Sequence, residues 1–324
     1  MSLLVVAAHF DAFRVLRAHV RQTLENYAAH ADRVVVVSTS GIDASSMERL
    51  PEQVEFVERR NFGYDFFSYK WGLDIVGDYA DYDQILIAND SFVGPTIPLA
   101  EITGSPQAHT HDLMGMTLSH NHGDHVQSFF MLANGFVARS KAFRSFWKDM
   151  VPVSDRMDVI QRYEFGFSRA ITDAGFRLGS YFQPTAQEEQ LAAARFQWHA
   201  EHRLDRKYPD RTIAEMRQID LESRPWNPGL AYADRVLLDD RLPLLKFDAL
   251  RFDPYSLGAD HLLAMSVEQK PEHFGSIPNF LSETRSRYPT RPGEQNRPTT
   301  RESLRQSGLG YGFDAEFANP AEEN

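Results

Sequence analysis

The first ninety residues alternate short apolar runs with segments of helical spacing, and this alternation constrains the fold more than any other feature of the chain. LLVVAA (3–8) and RVVVVS (33–38) are continuous runs rich in Val and Leu, the pattern of strands covered on both faces. Between them Phe13, Leu16, Val20, Leu24 and Tyr27 recur at helical spacing and predict a helix over 11–31. Strand, helix and strand make one βαβ unit. Residues 54–58 read as a third strand, 64–76 as a helix, and QILIA (84–88) as a fourth strand ending at Asn89-Asp90-Ser91. The expected fold class is therefore α/β, with a doubly wound, mainly parallel sheet. Farther on, 113–118 and 129–137 read as strands, 140–150 and 158–174 as helices, and 187–222 as a charged, helix-like stretch.

Length and composition narrow the chemistry. The 324 residues suffice for one large domain or two modest ones. With no cysteine, disulfide frameworks, thiolate zinc sites, Fe–S clusters and cysteine nucleophiles are excluded. Acids outnumber bases 45 to 34, a net charge of -11 that makes nucleic acid a poor partner. The first apolar run is six residues long without a basic flank, unlike a signal peptide, and no run approaches the length of a spanning helix. The expected location is cytoplasmic, with at most peripheral contact at the inner face of the membrane. From 283 to 305, six Arg, three Glu and three Pro (Pro289, Pro292 and Pro298) predict a disordered or draped polar tail.

In open α/β sheets, ligands bind outside the carboxyl ends of the strands, where loops meet helix N-termini. Three segments fall there: His9-Phe10-Asp11, the run from Arg59 to Asp65, and Asn89-Asp90-Ser91. Each also has a local explanation, Asp11 or Asp65 as a helix cap, Gly63 as a turn, and Asn89 and Asp90 as turn formers. Together they describe a nucleotide-linked substrate site. A strand-end carboxylate can hold Mg²⁺ with substrate phosphates, basic and amide groups can contact a diphosphate, and an aspartate can accept from ribose or base.

Four ordered blocks, RRNFGYDFFSYKWGL (59–73), ANDSFVGP (88–95), HVQSFFMLANG (125–135) and YEFGFSRAITDAGF (163–176), resemble the rhamnan synthesis protein F family. Lys246, within PLLKFDALR, fits the family's late basic position. The resemblance implies a GT-A-like nucleotide-diphosphosugar transferase domain over 1–255, leaving 256–324 as a helical extension and polar tail. It implies transfer of a sugar, rhamnose or another deoxyhexose being candidates, from a nucleotide-diphosphate donor to a polysaccharide or lipid-linked glycan. Asp11, Arg60, Asn61, Gly63, Asp65, Asn89, Asp90, Ser91 and Lys246 would then form the donor side. Asn89 replaces the first acid of the GT-A Asp-x-Asp, so Asp90 is the carboxylate left for Mg²⁺ or Mn²⁺. Glu164 takes the place of the general base of inverting members, and His125, Gln127 and Ser128 fall on the acceptor side.

Three other readings stand beside this one. His120, His122, Asp124 and His125 fit the His-x-His-x-Asp-His pattern of the metallo-β-lactamase fold, which binds Zn²⁺ and activates water. The replacement at Asn89 also suits a non-catalytic nucleotide-sugar or glycan-binding module. Glu164 has a purely structural reading as a first-turn acid favoured by the helix dipole. The aromatic series Phe62, Tyr64, Phe66, Phe67, Tyr69 and Trp71 is read mostly as core of the following helix.

Overall fold

Strand β1 (Leu3–His9) lies inside a seven-stranded sheet with all seven of its residues buried. The structure is a computed structural model that describes residues 1–47, 50–202, 219–237, 240–288 and 309–310. β1 pairs in parallel with β2 (Arg33–Ser38) on one side and β4 (Gln84–Asn89) on the other, and β2 pairs in parallel with the edge strand β3 (Val54–Glu58). Beyond β4 come β6 (Phe130–Asn134), β5 (Leu113–Gly115) and β7 (Leu178–Ser180). Only β6 runs against its neighbours, so the sheet is mixed but mainly parallel, as the alternation predicted.

Helices cover both faces, which is why β1, β2 and β4 are nearly uninterrupted apolar runs. On one face Leu4, Val6 and Ala8 share a core with Phe66, Tyr69 and Leu73 of α2 (Tyr64–Val76), Phe143 and Trp147 of α3 (Lys141–Lys148), and Phe167 of α4 (Phe165–Asp173). On the other face Ala7, His9 and Val36 adjoin Val20, Leu24 and Tyr27 of α1 (Ala18–Ala28). Gly72 lets α2 approach this sheet closely, since a Cβ there would lie 2.4 Å from Val6 Cγ1.

Local chemistry moves several boundaries from their sequence expectation. The helix predicted over 11–31 begins only at Ala18, because the Asp11 carboxylate holds residues 13–17 in a loop. The strand predicted over 129–137 stops at Asn134, whose side chain accepts the Val137 N–H at 3.1 Å and caps a short helix. The helix predicted over 158–174 starts earlier, at Arg156, and contains a π-helical turn, Ile160–Glu164. Within 187–222 the described helix is α5 (Ala186–His202), and 203–218 lie outside the described residues. Of the expected tail, 283–287 is helical, and beyond 288 only 309–310 are described.

By compactness the chain divides into Met1–Gln183 and Pro184–Asn324, a division that the stretch of resemblance crosses. In the second unit α5 delivers Arg195, 1% exposed, to both oxygens of the fully buried Asp234 at 3.1 and 2.7 Å. Burial opposes the Asp234 charge, but Arg195 and Arg235 outweigh it and hold the pKa down to about 2. No helix among the described residues is long and apolar enough to cross a membrane.

Because Asp234 binds protons less readily folded than unfolded, its stabilisation is complete above the ordinary pKa near ~4 and is lost as pH falls toward about 2. Asp234→Ala leaves the buried Arg195 without its carboxylate, and denaturant unfolding at neutral pH should show a loss of about 3–5 kcal/mol.

Candidate active site

The strand order reverses between β1 and β4, the position at which open α/β sheets form a ligand crevice. Their register sets Ala8 opposite Asn89, so His9-Phe10-Asp11 and Asn89-Asp90-Ser91 leave the sheet side by side. The Phe10 N–H donates to Asp90 Oδ2 at 2.8 Å, and His9 Nε2 lies 3.8 Å from the same oxygen. His9 is buried, with Nδ1 3.1 Å from Ser38 Oγ. Burial raises the Asp90 pKa, with the His9 charge and the Phe10 N–H opposing and Asp11 adding to the rise.

Asp65 enters from the first turn of α2, which Gly63 starts in the left-handed region at φ +73°. A side chain at Gly63 would meet Phe67 Cβ at 2.7 Å. Asn89 Nδ2 donates to Asp65 Oδ2 at 2.9 Å, while Asn89 Oδ1 accepts from Ser91 N and Oγ at 3.1 and 2.7 Å. An acid at position 89 could donate nothing to Asp65 and would repel it. Burial pushes the Asp65 pKa up, the Asn89 bond opposes this, and the Glu164 charge adds to it. One turn along α2, the buried Tyr69 hydroxyl donates to Ser128 O at 3.0 Å. Its phenol is raised well above the ordinary value by burial, then by the charges of Asp65, Asp90 and Glu164. Carboxylates from three separate elements thus act on one phenol.

Glu164 closes the π-helical turn that leads into α4, a distortion of the helix frequent at functional sites. Ser128 fixes its carboxylate by donating both N–H, at 2.9 Å, and Oγ–H to Oε2. Oε1 lies 3.9 Å from His125 Nε2. A carbonyl only accepts, so the 2.9 Å contact to Gly123 O places a proton on His125 Nδ1. The ring packs 4.5 Å, centroid to centroid, from Phe165. Glu164 therefore has one oxygen anchored and one available.

Other residues singled out from sequence are placed differently. The Asp11 carboxylate is taken up by Phe13 N, Val15 N and Arg17 Nε at 2.7, 3.2 and 2.7 Å. Burial alone would raise its pKa, but Arg17 and the two N–H groups hold it below the ordinary value. Arg59, a candidate for a diphosphate-binding field, makes five hydrogen bonds to Ser68 and to the carbonyls of Arg60, Phe62 and Tyr64, so it builds the loop. Arg60 and Asn61 are exposed on that loop. Gln127 is buried and accepts from Thr117 Oγ1 at 2.7 Å, and Lys246 lies in the second unit. Of the aromatic series, Phe66 and Tyr69 are core, whereas Phe62, Tyr64 and Trp71 are 40–43% exposed.

The zinc-hydrolase reading fails on geometry. His120 Nδ1 pairs with Asp124 at 2.7 Å on an exposed turn while His125 is turned to Gly123 and Glu164. Among the described residues no three His, Asp or Glu side chains converge as a self-sufficient metal site. Two residues that adjoin the carboxylates went unassigned from sequence. His9 stood only as part of a strand-end segment, and Tyr69 only as a core aromatic, although its spacing of four from Asp65 puts both on one helix face.

The profile of rhamnan synthesis protein F matches residues 34–219, more than half of the chain. The chain belongs to the rhamnan synthesis protein F family. An uncharacterized protein, y4gN, of Sinorhizobium fredii is 25% identical over 169 residues, 50% of this chain and 44% of its own length. Virulence protein VirA of Vibrio anguillarum is 49% identical over 43 residues, 12% of this chain and 14% of its own length. The match thus spans less than half of either relative. The galactosyltransferase LgtC, solved with donor and acceptor sugar analogs, aligns at 14% identity and a TM-score of 0.33, covering 56% of this chain and 74% of that one.

The raised Asp90 pKa sets a sign for stability. The folded protein binds this proton more readily than the unfolded chain, so ionised Asp90 costs stability at pH 7 and the cost fades on acidification. Asp90→Asn, which keeps an acceptor for the Phe10 N–H, should raise the melting temperature at neutral pH, with the gain closing toward about pH 4.

Proposed function

We propose that this protein transfers a sugar from a nucleotide-diphosphate donor to a hydroxyl of a polysaccharide or lipid-linked glycan, with inversion at the anomeric carbon. The observation that carries this reading is Glu164, with Oε2 anchored by Ser128 and Oε1 3.9 Å from His125 Nε2, and with Asp65 and Asp90 near enough that all three charges act on the Tyr69 hydroxyl.

Asp90 suits a divalent cation shared with a diphosphate. Its Oδ2 is engaged by Phe10, and Mg²⁺ is commonly held by one or two carboxylates plus substrate phosphates. A bound Mg²⁺ or Mn²⁺ would neutralise charge on the departing diphosphate. Asp65, clamped by Asn89, holds the pocket wall from which a sugar hydroxyl can be oriented. Rhamnose or a related deoxyhexose is the donor sugar that family membership favours, and the cytoplasm is the compartment in which such nucleotide sugars would be met.

Glu164 Oε1 takes the proton of the acceptor hydroxyl as that oxygen bonds to the anomeric carbon and the carbon–oxygen bond to the diphosphate breaks. Ser128 keeps Oε2 occupied, so the proton has one destination. General-base assistance of this kind contributes about 10²–10⁴-fold.

Glu164→Gln keeps the shape and the bonds from Ser128 but cannot accept the proton. Turnover should fall by about 10²–10⁴-fold while donor affinity, measured by calorimetry, stays within about twofold. Retained turnover would remove Glu164 as the base.

A further inference from the structure

Tyr69 packs as a core residue of α2. It is 0% exposed, and its ring lies edge-on to those of Phe66 and Trp147 at 5.6 and 6.4 Å, centroid to centroid. A phenylalanine would fill that space. A buried hydroxyl costs free energy unless it is hydrogen-bonded, so packing explains the ring and leaves the oxygen to be explained by its partner.

That partner is Ser128, whose carbonyl accepts from the Tyr69 hydroxyl at 3.0 Å. Ser128 in turn gives its N–H, at 2.9 Å, and its Oγ–H to Glu164 Oε2. A chain of hydrogen bonds therefore runs from α2, through one residue of the turn before β6, to the carboxylate that leads into α4. The turn, closed by the Phe130 N–H on Gln127 O at 3.5 Å, is held on either side of Ser128 as well. Gln127 accepts from Thr117 Oγ1 at 2.7 Å, and Phe129 O accepts from the Asn89 N–H at 3.1 Å. Tyr69 supplies the hold on Ser128 itself. Burial, then the charges of Asp65, Asp90 and Glu164, keep the proton on its phenol, so it stays a donor at neutral pH. One face of α2 thus serves two parts of the site, Asp65 through Asn89 and Tyr69 through Ser128.

We propose that Tyr69 is a positioning residue for proton transfer to Glu164: its hydroxyl fixes the Ser128 turn, and the turn fixes the carboxylate that meets the acceptor hydroxyl. Fully buried, it acts through Ser128 and not on the substrate. The inference rests on Glu164 being the base. A misplacement of ~1 Å in a reacting group costs on the order of 10²-fold in rate, so one hydrogen bond at a single remove from the chemistry carries weight.

Tyr69→Phe keeps the ring and removes the oxygen. In the free protein, NMR-detected hydrogen exchange should show the Ser128 amide exchanging about 5–10-fold faster while the amides of β2 keep their rates. With thymidine- or uridine-diphosphate rhamnose as donor and free rhamnose as acceptor, kcat should fall by about 10–100-fold while KM for the donor stays within about twofold. In the Glu164→Gln background the same substitution should cost nothing further, because a group that accepts no proton gains nothing from being aimed. A purely structural role would lower turnover in both backgrounds alike. An unchanged Ser128 exchange rate, a rise in KM with kcat kept, or an equal further loss in an impaired Glu164→Gln protein overturns this proposal alone. Full turnover by Glu164→Gln overturns the base reading and this proposal with it.

Discussion

Asp65, Asp90 and Glu164 are held partly out of water by hydrogen-bond donors and, among the described residues, without a Lys or Arg to balance them; the rest of the site follows from this constraint. Each is held in place by a different device. The parallel register of β1 and β4 gives Asp90 the Phe10 N–H, an amide in place of an acid at position 89 gives Asp65 a donor, and Ser128 gives Glu164 two. These bonds fix the carboxylates without cancelling their charge. Burial then raises the Asp65 and Asp90 pKa values, so their charges cost the folded state stability at neutral pH.

Asn89 shows how a departure from a pattern can be structural and functional together. Read in sequence, it removes a metal ligand and suggests a degenerate, non-catalytic site. In the structure its amide nitrogen clamps Asp65 and its oxygen turns the chain at Ser91. The replacement exchanges one carboxylate for an ordered neighbour and leaves Asp90 as the strand-end acid.

The strands and α2 were legible because burial on both faces writes itself as uninterrupted Val, Leu and Ile, and the bounds of β2, β3 and α2 agree with their expectation. Asp65, Asn89 and Asp90 were legible as residues at the carboxyl ends of strands, whereas Ser128 and Glu164 stood out only through the ordered blocks. What escaped depends on single side-chain bonds that periodicity does not encode. Asp11 caps a loop seven residues before its helix, Arg59 spends its donors on carbonyls of its own loop, and Tyr69 hides a site hydroxyl in a core position. The histidine series fits a zinc pattern letter by letter, yet its imidazoles turn to different partners because a tight exposed turn separates them.

The account turns on the acidic cluster being a cation-assisted diphosphate site. The most direct test is the thermal stability of the whole chain with nucleotide-diphosphate sugars, in the presence of Mg²⁺ or Mn²⁺ and in the presence of chelator. A ligand that binds only the folded protein raises its melting temperature. The account predicts that at least one such sugar raises it with the metal present, that chelator removes most of the rise, and that Asp90→Asn abolishes it. A panel in which no nucleotide sugar shifts the wild-type protein, or in which Asp90→Asn responds as the wild type does, contradicts it.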